Sequence, residues 1–146
     1  MKIISTYPAK IKESSGAFEA TAVLYRQAVD YFIGIMLKHW DKQFASLPNI
    51  NVVTRQTELL CWPTSKRPLT QYDFGKSFYK FPSYLRRAAI SEAYGMVSSY
   101  HTRLKQWKAS PQGKEPGLPK VGRTFPAMYR EVMFKNTTDR YTVRIK

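Results

Sequence analysis

A long helix is predicted by residues 81–108, which read FPSYLRRAAISEAYGMVSSYHTRLKQWK. Proline suits the first turn of a helix, and Pro82 stands at that place. Apolar side chains then recur at steps of three and four from Leu85 to Trp107, the spacing of one helical face. The polar positions carry one acid, Glu92, and these cations: Arg86, Arg87, Arg103, Lys105 and Lys108. We therefore expect a long helix with a buried stripe and a basic outer face.

A second long helix is predicted upstream, from Ala17 to about Ser46. Apolar residues again recur at helical spacing, and Leu47 with Pro48 ends the pattern. The charges of this helix balance, which suits an element that packs in the core. Residues 49–80 are interpreted as irregular with short helical pieces, because Pro63 and Pro68 interrupt any longer element.

The two ends of the chain predict strands. Residues 3–11 alternate between two faces, and residues 128–135 and 140–146 form a hairpin pattern around a turn at 136–139. Residues 111–122, rich in proline and glycine, form a linker or binding loop. The division is a first strand at 1–12, a helical segment at 13–110, and a loop with further strands at 111–146. So few strands do not close a sheet well. We therefore expect these residues to be the N-terminal piece of a larger protein.

Composition limits the partner and the compartment. The 146 residues carry 24 Lys and Arg against 10 Asp and Glu, a net charge of +14. Nucleic acid is the commonest partner of so basic a protein, and an anionic membrane surface is the second. No apolar stretch approaches the roughly 20 residues that span a bilayer. A single cysteine, Cys61, excludes a disulfide framework and favours the cytoplasm.

Catalytic motifs are not recognisable in the sequence. His39 and His101 lie on different predicted helices and belong to no metal-binding pattern, so both are interpreted as surface or core-edge residues. Cys61, next to Trp62, is interpreted as a buried small hydrophobe. The acids are scattered singly, without the carboxylate group that a two-metal nuclease needs.

Aromatic and basic residues alternate in residues 72–81, which read YDFGKSFYKF. Stacked rings beside cations are typical of single-strand binding, which makes Tyr72, Phe78 and Tyr79 candidates for base stacking. The alternative is that these rings anchor a loop onto the two helices. Arg86 and Arg87 are candidates for phosphate contacts, since guanidinium groups suit phosphates, or they belong to a solvated charged face.

The order of these elements resembles the N-terminal region of the TnpB family, transposon-encoded RNA-guided DNA endonucleases related to type V CRISPR effectors. The matching segments are residues 82–93, PSYLRRAAISEA, and residues 117–120, GLPK, which is similar to the turn that leads into the family's wedge strands. Leu118 stands where the family has an aromatic residue. The resemblance implies an α+β fold in which a helical recognition insertion interrupts an incomplete antiparallel, OB-like wedge barrel.

The resemblance also implies a function, in which this portion holds guide RNA and target DNA through backbone contacts while base pairing reads the sequence. The cations expected at phosphates are Arg86, Arg87, Arg103, Lys105, Lys108, Lys120, Arg123, Arg130, Arg140 and Arg144. Catalytic carboxylates with Mg, and a Zn site, belong to a C-terminal part outside these residues, so no cofactor is expected here. Such a protein is cytoplasmic and associates with the nucleoid when it binds DNA.

A different class of function stays open on the sequence alone. A free-standing basic scaffold or regulator would act through protein contacts, with the aromatic stripe around Trp40 and Trp107 as its interface. A self-contained enzyme is disfavoured by the missing nucleophile, metal cluster and acid pair.

Overall fold

The computed structural model describes residues 16–126, 134–136 and 141–143. Within them the chain is mainly helical. Helix α1 (Ala17–His39) continues directly into a π-helical turn, Trp40–Phe44. The helices are α1 (Ala17–His39), α2 (Ile50–Cys61), α3 (Phe74–Ser77) and α4 (Ser83–Ala109). Strands β1 (Phe134–Asn136) and β2 (Tyr141–Val143) pair antiparallel, with Lys135 opposite Thr142.

The predicted α+β fold class is wrong, because the described residues form a helical assembly without a wedge barrel. Their sheet is the hairpin β1–β2, with three residues on each strand. The predicted strand at 3–11 lies outside the described residues, as do parts of 128–135 and 140–146. The physical reason for the error is that the apolar faces of the helices cover one another, so the core of the described residues needs no barrel.

Two long helices, α1 and α4, build that core. Their buried side chains follow the stripes predicted from the sequence, which confirms both stripes in the described helices. Alanines on α4 let the helices approach closely, while larger side chains on α1 fill the space. The main buried residues are Tyr25, Val29, Phe32 and Met36 on α1, and Leu85, Ala89, Ala93 and Val97 on α4. Among the described residues, no helix is long and apolar enough to cross a membrane.

An aromatic cluster fixes the chain that leads into α4. The Phe74 ring stacks on Phe32 and on Phe78, at centroid distances of 5.0 and 4.6 Å. Tyr31 and Phe81 contact the same ring edge-on. Offset and edge-on ring pairs each add about 1 kcal/mol beyond area burial. Most rings of the segment at 72–81 therefore anchor a loop, as the alternative interpretation stated.

Helix α2 was not predicted as a full helix. Its first turn is capped by the Asn49 side chain, which accepts hydrogen bonds from the amides of Asn51 and Val52. The buried face is Val53, Thr57 and Cys61. The burial of Cys61 confirms its interpretation as a small core residue.

The segment after α4 is held against the helices by a few contacts. Near its start, the Trp107 Nε1 donates a hydrogen bond to the Gly113 carbonyl at 3.4 Å. Near its end, the Arg26 Nε donates to the Thr124 carbonyl at 2.9 Å, and its guanidinium lies over the Phe125 ring. Between them Val121 packs on the core. These contacts hold residues 117–120 beside α4.

Candidate nucleic-acid interface

Arg86 is not part of an exposed surface. Its guanidinium donates two hydrogen bonds to the Glu58 carboxylate, at 2.9 and 3.2 Å, and lies 3.9 Å from the centre of the Trp62 ring. Only 7% of its side chain is exposed. The expectation that Arg86 projects into solvent towards phosphates is therefore wrong. This position of α4 faces α2 and the core.

Arg87 points the other way, with 60% of its side chain exposed. It begins a row of residues at steps of four, which we call the α4 track: Arg87, Ser91, Gly95, Ser99 and Arg103. All five are exposed. A row at steps of four is inclined to the helix axis, so the track crosses the outer face of α4 from one flank to the other.

The first half of the track borders a cavity of about 440 Å³ between α2 and α4. Arg87, Ala88 and Ser91 line it from α4, and Thr54 with Arg55 from α2. Two arginines therefore face the same open space.

An acid also lines this first cavity. The Glu58 Oε1 lies 2.9 Å from Arg86 Nη2 and 4.0 Å from Arg87 Nε. Because the buried Arg86 neutralises this carboxylate, Arg55 and Arg87 keep the cavity positive.

The second half of the track borders a cavity of about 430 Å³ between α4 and residues 117–120. Gly95, Ser99 and Arg103 line one wall, and Gly117 with Lys120 the other. Arg103 also donates a long hydrogen bond, 3.4 Å, to the carbonyl one turn earlier. The predicted cations Arg103 and Lys120 are thus brought into one cavity.

Small residues occupy the middle of the track. A Cβ atom added at Gly95 would meet no heavy atom within 4 Å, so the space directly above the helix is open there. From Arg87 to Arg103 the helix rises about 24 Å at 1.5 Å per residue. The arrangement is a shallow surface with cations at both ends and room for a chain to lie close to the backbone between them.

The other predicted cations do not join the track. Lys105, Lys108 and Arg123 are exposed but line neither cavity. Arg130, Arg140 and Arg144 lie outside the described residues, so their role stays a prediction.

The predicted stacking residues separate into two groups. The Tyr72 hydroxyl lies 2.9 Å from the His39 Nε2, and Phe78 packs in the aromatic cluster. Both residues are partly buried and contact other rings, Tyr72 edge-on to His39 and Phe78 stacked on Phe74, so they help to hold α3 and its flanking loops. Tyr79 is different, since it is 80% exposed.

The titratable groups of the described residues indicate packing. Burial raises the pKa of the Cys61 thiol to about 12, which disfavours a nucleophilic role. His101 stacks flat on Trp40, at a centroid distance of 4.6 Å, and burial lowers its pKa. No group of three or more His, Cys, Asp or Glu in the described residues is placed to hold a metal ion.

Two features of the interface were missed in the sequence. Arg55 lies in a segment that was interpreted as irregular, and its contribution depends on α2 being a helix. The small residues Ser91, Gly95 and Ser99 recur at steps of four between two arginines, a signal that was present in the sequence. The apolar stripe of the same helix was considered alone, so this second, polar row of small residues was overlooked.

Fold and surface together define a small, mainly helical protein with a basic track along its longest helix. The chain belongs to the Aq_aa04 family, whose model matches residues 5–146. It is similar to the uncharacterized protein aq_aa04 of Aquifex aeolicus (strain VF5), with 27% identity over 126 residues, which covers 80% of this chain and 70% of that protein. No solved structure matches the chain. These matches carry no statement about ligands, so the resemblance to TnpB proteins stays a prediction.

Proposed function

We propose that the protein binds nucleic acid through its phosphate backbone, along the α4 track. The observation that carries the proposal is the placement of Arg55 with Arg87 at one cavity and of Arg103 with Lys120 at the other. Between them the small residues of the track leave the space that a sugar-phosphate chain needs. Cations at both ends of such a path attract phosphates without reading bases.

The surroundings of the track favour a polyanion over a small anion. Its length of about 24 Å exceeds that of a single phosphate group several times. The cavities are open and shallow, whereas sites for small molecules enclose most of the ligand surface. With a net charge of +14, the whole chain adds long-range attraction.

The proposal extends to the ligand that the TnpB resemblance implies, namely guide RNA with its target DNA. A cytoplasmic location, with the nucleoid when DNA is bound, belongs to the same proposal. Cutting is assigned by the resemblance to residues outside this chain, and the wedge barrel forms no part of the proposal.

The protein-contact alternative loses its main anchor. Trp40 is 8% exposed and stacks on His101, so its ring is not offered to a partner. Trp107 is half-buried and donates its indole hydrogen to the Gly113 carbonyl. The buried Trp40 therefore does not support this alternative, and Trp107 offers only part of its ring.

A matched pair of charge variants tests the proposal. The track variant carries Arg87→Ala, Arg103→Ala and Lys120→Ala. The control carries Lys38→Ala, Lys42→Ala and Lys66→Ala, which are exposed and line neither cavity. Both variants lose the same charge, so any difference between them reports position.

Binding of a fluorescent single-stranded RNA is measured by anisotropy at several salt concentrations. On single strands each neutralised phosphate contributes roughly 0.7 to the slope of log K against log salt. We expect the track variant to lower that slope by about 2, and the control to leave it nearly unchanged. Equal losses in both variants would show a diffuse charge effect and would refute the track.

A steric pair tests the same surface without changing charge. Gly95→Leu places a side chain in the open space of the track, and Gly34→Leu does the same at an exposed position of α1. We expect Gly95→Leu to weaken RNA binding while Gly34→Leu does not. Both replacements favour the helix by roughly 0.5 to 1 kcal/mol, so lost stability cannot explain a binding defect.

A further inference from the structure

We infer that Tyr79 and Lys80 form a stacking platform for one unpaired base and its phosphate, so that the ligand of the α4 track is a single strand. The inference rests on the proposed function and names its substrate class. It starts from a contrast within one aromatic segment. Tyr72, Phe74, Phe78 and Phe81 all pack against other rings of the protein, whereas the Tyr79 side chain is 80% exposed.

Lys80 shapes this platform. Its φ of 55° lies in the left-handed region, which residues other than glycine adopt rarely and at a cost. In this turn the Lys80 Nζ lies 5.3 Å from the centre of the Tyr79 ring. The ammonium lies over one face of the ring, and because the residue is 80% exposed the ring keeps open surface for a flat partner beside this cation.

The position of the platform fits a ligand on the track. Tyr79 precedes Ser83 by four residues, a span of at most about 14 Å. From Ser83 to Arg87 the helix adds about 6 Å. Tyr79 therefore lies within about 20 Å of Arg87, a distance that an extended single strand covers in a few nucleotides. Exposed rings beside cationic grooves bind unpaired bases in this way, whereas paired bases keep their faces stacked on one another.

Three probes separate base stacking from charge: a 12-nucleotide single-stranded oligouridine, an RNA duplex of equal length, and inorganic polyphosphate. We expect Tyr79→Ala to weaken oligouridine binding at least about fivefold, the lower end of a single stacking contact, and to leave duplex and polyphosphate binding unchanged. Tyr79→Phe keeps the ring and should bind as the wild type does. Leu69→Ala, at an apolar residue that is 87% exposed, is the control.

Salt dependence distinguishes the ring from its neighbour. Tyr79→Ala should leave the salt slope unchanged, because the ring neutralises no phosphate. Lys80→Gly removes the cation, and glycine accepts the positive φ, so its slope should fall by roughly 0.7. Because Tyr79 is exposed, its alanine variant should unfold at the wild-type temperature.

The outcomes separate the two proposals. If the wild type binds none of the probes, the proposed function fails and the platform fails with it. If the track variant loses binding while Tyr79→Ala binds oligouridine as tightly as the wild type, the platform alone is wrong. An equal loss for all probes in Tyr79→Ala also overturns it, since polyphosphate has no base to stack.

Discussion

Replacing Arg86 should unfold the protein more readily, although the neighbouring Arg87 should be replaceable at little cost. Arg86→Ala removes both hydrogen bonds to Glu58 and the contact with the Trp62 ring. Breaking a buried pair by removing one partner costs about 3 to 5 kcal/mol. The loss falls at the lower end here, because Glu58 is 23% exposed and Arg87 stands 4.0 Å away as a partial substitute. We therefore expect about 3 kcal/mol.

The assay is urea unfolding followed by circular dichroism, with thermal unfolding as a second measure. For a chain of this length, a loss of about 3 kcal/mol lowers the melting temperature by roughly 6 to 12 °C. Arg87→Ala, at a side chain that is 60% exposed, should cost less than about 1 kcal/mol. The pairwise nature of the effect is tested by Arg86→Met with Glu58→Leu, since replacing a buried ion pair by apolar residues is often neutral.

Two results would refute this reasoning. An Arg86→Ala variant that loses no more stability than Arg87→Ala would mean that the buried pair contributes nothing. A double variant, Arg86→Met with Glu58→Leu, as unstable as Arg86→Ala would mean that the arginine stabilises by some contact other than Glu58. The two arginines should also differ in RNA binding. Arg87→Ala should weaken binding while it leaves folding intact.

Two further predictions follow from buried titratable groups. Burial lowers the pKa of His101 from its usual value of 6.5, so its contribution to stability is complete above about pH 6.5 and is lost as the pH falls from there towards the lower folded value. Urea unfolding at pH 7.5 and 5.5 should therefore show a smaller loss for His101→Phe, which keeps a ring on Trp40, than for the wild type, and an equal loss would contradict the assignment. Burial raises the pKa of Cys61 to about 12, so a thiol reagent at pH 8 should label it only after denaturant is added, and immediate labelling of the native protein would show that the thiol is open.

The long helices were predicted well from the sequence because their apolar pattern repeats over many turns. The stripe from Leu85 to Val97 repeats often enough for the core face to be recognised, and its members are buried as expected. The prediction for residues 49–61 was wrong for the opposite reason, since the pattern there is short. Helix α2 buries a narrow face of modest hydrophobicity, Val53, Thr57 and Cys61, and two prolines follow it closely. The Asn49 cap was the available signal.

The β prediction shows a different limit. Alternation over a few residues fits a strand of any sheet, so the pattern cannot say whether a barrel or a lone hairpin results. The described strands β1 and β2 pair with each other, as the hairpin pattern around 136–139 required, but no barrel strand stands beside them among the described residues.

The two adjacent arginines explain why the candidate site was partly misread. Neighbouring residues on a helix point about 100° apart, so one of two adjacent arginines can face the core while the other faces solvent. Arg86 stands three, four and seven residues before Ala89, Ile90 and Ala93, which are buried, and the same spacing could have assigned it to the core.

The buried arginine nevertheless acts on the proposed interface. Glu58 lines the first cavity and would repel a phosphate there if its charge were not balanced. Arg86 balances it from inside the protein, at 2.9 Å, so the charges of Arg55 and Arg87 remain in excess at this cavity. The basic character of α4 that the sequence indicated is therefore divided between two tasks. One arginine removes a negative charge from the wall of the cavity, and the other supplies a positive charge to its opening.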